Sequence, residues 1–344
     1  MHKKNLIAIF LLVFGMMLSS FAFYTYQILY TPNVLVEDQA RFLTIPHGMN
    51  FKDFQNALSK ERIINDAVSF GFLAKLKDLD TNLKPGMYSL EPDMTNLQLI
   101  NLLRSGEQTP VNLTFSNARL LSELPKKLTR NLEIDSADMA QLLLGDSTAQ
   151  NYGFKPNTFI SMFIPNTYKV YWTDTSKEIL DRIKREYDLF WTDERTEKAE
   201  NLNMTPIEVS TLASIVQGET NKMDEAPTVA GVYINRLQRG IPLQADPTLV
   251  YAIGDFSIRR ILNKDKAFES PYNTYKYTGL PPGPINMPSI AALEAVLNYT
   301  DHSYLYFCAK EDFSGYHVFA KTLEEHNRNA RKFQRALNRE GIYR

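Results

Sequence analysis

Cysteine is nearly absent from this chain. Cys308 is the only one in 344 residues, which excludes an internal disulfide and any cysteine pair for a zinc cluster. Its place in the apolar run Tyr304-Leu305-Tyr306-Phe307-Cys308 predicts a buried structural thiol. Net charge is missing too: 38 basic and 39 acidic side chains leave a formal -1, so no nucleic-acid partner is expected. The chain has no glycine-rich phosphate loop, no nucleophile elbow and no His-Glu-x-x-His, which sets aside kinases, dinucleotide enzymes, serine hydrolases and zinc proteases. His317 and His326 lack metal-ligand spacing and read as satisfied polar residues, so neither a metal nor a cofactor is expected. There is no internal repeat or low-complexity block.

The N-terminus holds one long apolar run. Leu6 to Phe23 contains only Ser19 and Ser20 as polar members, and no charge follows until Glu37. A bilayer needs about 20 apolar residues, so the run is long enough to cross one. Lys3 and Lys4 before it and acidic residues after it place the N-terminus in the cytoplasm and the rest outside. A cleaved signal peptide is the rival, with Ser20-Phe21-Ala22 as a loose cleavage site. The length of the run and the aromatic residues Phe21, Phe23, Tyr24 and Tyr26 favour an uncleaved anchor.

Short elements follow. Ile45-Pro46-His47-Gly48 reads as a strand end and turn. Phe51, Phe54 and Leu58 share one face of a small helix, and a second helix carries Phe72, Leu73 and Leu76. After a turn at Lys84-Pro85-Gly86 and a short strand, a third helix runs from Thr95 to Gly106. These small βαα-type units resemble the carbohydrate-binding LysM fold; a generic α+β spacer fits the same pattern. Alternating Val111, Leu113 and Phe115 predict a connecting strand, followed by helices to about Gly145. An amphipathic helix from about Thr175 carries Ile179, Ile183, Tyr187 and Phe190.

Thr205-Pro206-Ile207-Glu208 is a helix start, with a threonine cap, proline at the first position and glutamate completing a capping box. This fixes the helix phase. Val209, Leu212 and Val216 recur at helical spacing, and the next member of their stripe is Glu219. Glu219 is then either a helix-end carboxylate turned to water or a partly buried acid whose raised pKa lets it hold and donate a proton. Gly218 costs about 1 kcal/mol in a helix and marks a close approach by backbone or ligand. Gln217 lies about 200° around the helix from Glu219. A second helix from Glu225 to Arg239 turns Val229, Val232, Tyr233 and Leu237 inward, and a polar turn then brings Gln244 and Asp246 to an edge. Asp246 before proline reads first as a turn former. Tyr272-Asn273-Thr274-Tyr275 precedes the stiff loop Gly279-Leu280-Pro281-Pro282-Gly283-Pro284-Ile285 and reads as sugar contacts or as plain surface loop. A hairpin around Phe313-Ser314-Gly315 and a last helix, with a capping box at Thr322 to Glu325, end the chain.

Leu212-Ala213-Ser214-Ile215-Val216-Gln217-Gly218-Glu219-Thr220 resembles the signature helix of the MltG (YceG-like) endolytic murein transglycosylases. Val232 to Leu237, Leu243 to Thr248, Tyr272 to Tyr275, Gly279 to Ile285 and Tyr304 to Phe307 follow in that family's order. The resemblance implies a lyase that cuts between N-acetylmuramic acid and N-acetylglucosamine in nascent glycan strands, leaves 1,6-anhydro ends and so terminates elongation. It also implies that the second glutamate of a Glu-x-Glu-Thr pattern, here Glu219, is catalytic, while the first is replaced by Gln217. Around Phe163 to Tyr168, Ile160 and Asn166 stand where the family often carries acids. Gln244, Asp246, Asn273 and Tyr275 are the candidate substrate contacts, and peptidoglycan synthases are the possible protein partners. A catalytically silent peptidoglycan-binding scaffold and an ordinary muramidase are the alternatives.

The expected fold class is α+β: a cytoplasmic tail at 1–4, a transmembrane helix at 5–29, a linker at 30–41, a small LysM-like α+β module at 42–110 and a helix-rich α+β catalytic domain at 111–344. The expected location is the bacterial cell membrane, single-pass, with the catalytic domain outside the cytoplasm.

Overall fold

The computed structural model describes residues 2–36, 40–258 and 260–341. Met1 of the expected tail, residues 37–39 of the linker and residues 342–344 at the end of the last domain lie outside the described residues. The first helix, α1 (His2–Tyr30), is long and apolar enough to cross a membrane. Leu6, Phe10, Phe14 and Phe21 stand fully out along it. Its last turn differs: Ile28 is only 8% exposed and belongs to the core of the first of two compact units.

That first unit runs to Asn112 and takes in Asn131–Ile134 and Lys169–Thr175. Strand β1 (Arg41–Ile45) leads into α2 (Phe51–Lys60), which Asn50 caps by accepting the Asp53 N–H. Helix α3 (Ala67–Leu76) is capped by Asp66, whose carboxylate accepts two N–H groups and is held below its ordinary pKa by them, most of all by Ser69. Strand β2 (Gly86–Leu90) then returns antiparallel to β1, with Arg41 opposite Leu90 and Ile45 opposite Gly86. Helix α4 (Asn96–Ser105) begins in a full capping box between Thr95 and Gln98 and stops at left-handed Gly106. One strand pair with two helices between its strands, plus α4, replaces the expected series of βαα units. Phe54, Leu58, Phe70, Leu73, Tyr88 and Leu99 form the core. Of the three α3 residues singled out from the sequence only Leu73 enters it; Phe72 is 62% and Leu76 67% exposed, because Phe70, Leu73 and Ala74 set the inward phase.

Strand β3 (Val111–Phe115) carries the chain into the second unit. Short helices α5 (Leu124–Leu128), α6 (Ser136–Leu143) and α7 (Thr148–Asn151) follow, then strand β4 (Asn166–Val170). Ile160, just before it, is buried, and Asn166 is exposed. Amphipathic α8 (Ser176–Phe190) buries Ile179, Leu180, Ile183 and Tyr187. Phe190 stays partly exposed beneath the Arg195 guanidinium, 4.2 Å from its ring centre. Next come α9 (Asp193–Asn201), α10 (Pro206–Glu219), α11 (Ala226–Gln238), α12 (Asp246–Ile253) and α13 (Ile290–Leu297).

Helix α10 is the axis of this unit. All eight residues from Val209 to Val216 are buried, and the helix packs on α11, α12 and α13. The stripe read from the sequence is therefore one side of a helix enclosed all round. Asp246 opens α12 with Pro247 behind it, where a polar turn was expected. The hairpin β5 (Tyr306–Ala309) and β6 (His317–Ala320) forms as expected, and Cys308 in β5 is partly exposed, not buried. In α14 (Leu323–Arg339) Thr322 caps the Glu325 N–H, but the Glu325 carboxylate takes the N–H of Lys321, so the expected capping box is only half made.

Candidate active site

The end of α10 lies where α11 and α12 converge. Gly218 permits it: a Cβ there would stand 2.8 Å from Cβ of Pro247, closer than such atoms approach. The close approach signalled by this glycine is thus the first turn of α12. One residue on, Glu219 ends the helix, and its Oε1 accepts a 2.7 Å hydrogen bond from Oη of Tyr233, a buried residue of α11. Burial pushes the Glu219 carboxyl up to about 7. The Tyr233 bond works against that rise, the nearby Asp246 charge adds to it, and Arg236 opposes it. The same burial, with the adjacent carboxylate, drives the Tyr233 phenol well above its ordinary range, so it stays a donor.

Two hollows meet at this point. One, of about 710 Å³, is bordered by Gln217, Glu219, Asp246, Arg119, Tyr251 and Asn286. The other, of about 550 Å³, is bordered by Glu219 and Asp246 again, with Tyr233, Arg236, Gln244 and Tyr275. The two carboxylates therefore stand at the junction of a cleft open to both sides. A larger hollow of about 1020 Å³ lies at the other end of α10, but the Glu208 carboxylate beside it is occupied by the N–H and hydroxyl of Thr205. Size and chemistry part company here: the carboxyl with the raised pKa borders the two smaller hollows, not the largest one.

The expected contact residues divide. Asp246 is exposed and accepts a hydrogen bond from Oη of Tyr275 at 2.5 Å, so those two form a second tyrosine–carboxylate pair on the opposite wall. Gln244 is exposed, in a left-handed conformation with φ 54°, and its Oε1 lies 3.4 Å from Nη1 of Arg236. Asn273 does not reach the cleft. It is fully buried, donates to the carbonyls of Lys266 and Phe268 and accepts the N–H of Tyr275, which makes it the brace of the loop carrying Tyr275.

Gln217 points away from Glu219, as helix geometry requires. Its amide nitrogen donates to Asn117 and Asn286 side chains and to the carbonyl of Met287, and its oxygen accepts the N–H of Ser289. An amide satisfies that mixed set, because the Met287 carbonyl demands a donor and the Ser289 N–H an acceptor.

Tyr233 and Arg236 also line the cleft, although the sequence pattern points only to packing for Tyr233 and to no role for Arg236. Arg236 is 8% exposed; Nε donates to the carbonyl of Leu305 at 2.7 Å and Nη1 to that of Leu243 at 2.8 Å, so it ties α11 to the strand and turn that line the cleft. The available signal was a tyrosine on an inward helix face, whose hydroxyl needs a partner, three residues before a buried arginine. Behind the cleft, Glu225 accepts from the Thr220 hydroxyl and from the N–H and ring of His317. Burial acts to raise Glu225, but those bonds prevail and hold it below its ordinary value. His317 is satisfied as expected, whereas Nδ1 of His326 is buried with no hydrogen-bond partner among the described residues.

The description of the YceG-like family matches residues 43–332, well over half of the chain. The chain belongs to the YceG-like family. Among YceG-like relatives it is 29% identical over 372 residues to a protein of Streptococcus pneumoniae named endolytic murein transglycosylase, covering 95% of this chain and 65% of that one. The chain thus spans just under two thirds of the length of that relative. A Bacillus subtilis protein of the same name is 29% identical over 312 residues, covering 86% of this chain and 85% of its own. The crystal structure of a yceG-like protein from Listeria monocytogenes superimposes with a TM-score of 0.55 at 28% identity, over 85% of this chain and 99% of that one.

Proposed function

We propose that this chain is an endolytic lytic transglycosylase of peptidoglycan, with Glu219 as its acid and base. The observation that carries the reading is a carboxyl raised to about 7 at the junction of two hollows, beside a second, exposed carboxylate. A bond inside a strand has sugars on both sides, and the cleft opens to both sides of Glu219. Relatives named for this activity support the substrate class.

In the proposed reaction protonated Glu219 donates to the oxygen leaving N-acetylmuramic acid. As carboxylate it then takes the proton of the muramic C6 hydroxyl, which attacks C1 and closes the 1,6-anhydro ring. The nucleophile belongs to the substrate, so no second carboxylate is needed to activate water. Tyr233 keeps Glu219 aligned through both protonation states, since a phenol donates to either. Asp246 offers negative charge to the oxocarbenium-like transition state.

Helix α1 fits a single-pass anchor with the second unit outside the cytoplasm, and cleavage near the membrane would end nascent strands beside their synthases. The strand–helix–helix–strand order of the first unit supports the LysM-like reading and, with it, a glycan contact there. Incubation of the full chain with uncrosslinked glycan, followed by mass analysis of the products, tests the activity. Anhydro ends are expected; reducing ends would make it a hydrolase, and uncut strands a scaffold.

A further inference from the structure

Helix α3 presents an apolar face that none of the described residues of its own unit covers. Four of its ten residues are exposed, Val68, Phe72, Lys75 and Leu76, and three of those are large and apolar. Val68 is 78%, Phe72 62% and Leu76 67% exposed, and their four-residue spacing stacks them in one stripe. The opposite face, Phe70, Leu73 and Ala74, fills the core. A ten-residue helix that is apolar on both faces is suited to a core on one side and a second apolar medium on the other.

The identity of that medium follows from what α3 sits beside. The last turn of α1 is built into the same core through Ile28 and packs on α3 and α4. Asn96 fastens the junction: its side-chain nitrogen donates to the Ile28 carbonyl at 3.2 Å and to Oγ of Ser69, in the first turn of α3, at 3.1 Å. Val68 is the neighbour of Ser69, so the stripe starts where α1 ends its apolar run.

We infer that Val68, Phe72 and Leu76 lie in the lipid interface of the membrane that α1 crosses, making α3 a second, in-plane contact that fixes the first unit against the bilayer. Lys75, on the same face, suits anionic headgroups while its stem lies along the apolar surface. The inference rests on α1 being a membrane anchor. A lone crossing helix lets the domain built onto it tilt and rotate with it, whereas a second contact in the plane of the bilayer holds one orientation.

The test uses the full chain with Cys308→Ser, reconstituted in phosphatidylcholine and phosphatidylglycerol vesicles. An environment-sensitive fluorophore is placed singly by Phe72→Cys, by Phe14→Cys within α1, or by Asn327→Cys on exposed α14. Quenching by lipids brominated in the acyl chain is expected to be strong at 14, at least two-fold above the Asn327 level at 72, and weaker at 72 than at 14. Quenching at 14 with none above the Asn327 level at 72 overturns the α3 contact and leaves the anchor standing. No quenching at 14 overturns both. A label at 72 that is shielded from aqueous iodide yet untouched by brominated lipid overturns the proposal in favour of a protein partner. In a Val68→Asn, Phe72→Asn chain of unchanged circular dichroism, the lipid quenching of a label at Leu76→Cys is expected to fall at least two-fold; unchanged quenching there also counts against the inference.

Discussion

Tyr233 donates to Glu219 from inside α11, whereas partly exposed Tyr275 donates to exposed Asp246 on the other wall of the same cleft. The two pairs are alike in functional groups and bond length and unlike in surroundings. The carboxyl that burial lifts to about 7 is suited to the proposed acid and base, and the exposed one to lending charge beside it. What separates them is the helix on which each sits: Glu219 ends one whose middle is buried on every side, and Asp246 opens one with an exposed start. The proposed catalytic carboxyl and its proposed helper thus share one chemistry.

Glu219→Gln breaks the comparison most severely. It removes the proton at nearly constant shape, so cleavage is expected to fall by about 10²–10⁴-fold, with circular dichroism unchanged; residual activity near the parent level would move the chemistry elsewhere. Asp246→Asn keeps the shape of the other pair and is expected to cost about ten-fold in kcat, on the scale of about 1.4 kcal/mol per decade of rate, and to move the pH midpoint down, because the charge that helps raise Glu219 is gone. Tyr233→Phe sharpens the comparison differently. The lost bond was lowering the Glu219 pKa, so the high-pH limb of kcat/KM should move to still higher pH; a fixed limb would mean that Tyr233 does not act on that proton.

The smaller effects concern stability. Gln217→Ala gives up four hydrogen bonds that join α10 to the loop at 286–289 and to Asn117, and is expected to cost about 1–3 kcal/mol while leaving the pH midpoint of cleavage in place. Thermal unfolding measures it. Glu219 also makes stability depend on pH. Its folded pKa of about 7 stands above the ordinary 4.5, so the folded chain binds the proton more tightly. Stability should therefore fall as pH rises from about 4.5 to about 7 and change little beyond. Glu219→Gln abolishes that loss, and its melting temperature relative to the parent should be higher at pH 8 than at pH 5.

Much of this was legible in the residues. The capping box at Thr205 and Glu208 set the phase of α10 and with it the opposite directions of Gln217 and Glu219. The hairpin near Phe313 and the cap at Thr95 were equally local and equally readable. The choice between a water-facing and a partly buried Glu219 was not, because burial at a helix end depends on α11 and α12, which arrive from later in the chain. Tyr233 looked like packing for the same reason: an inward tyrosine declares that its hydroxyl has a partner without naming it. Asn273 misled because an amide in a loop serves the backbone as readily as a sugar, and only its full burial decides. On α3 the apolar residues were visible, but a helix apolar all round has no phase to read.

The most direct measurement is the titration of Glu219 itself, followed by ¹³C NMR of the side-chain carboxyl with Glu219→Gln to assign the resonance. A midpoint near 7 is expected, moving upward in Tyr233→Phe. A midpoint at the ordinary 4.5 of an exposed glutamate would contradict it.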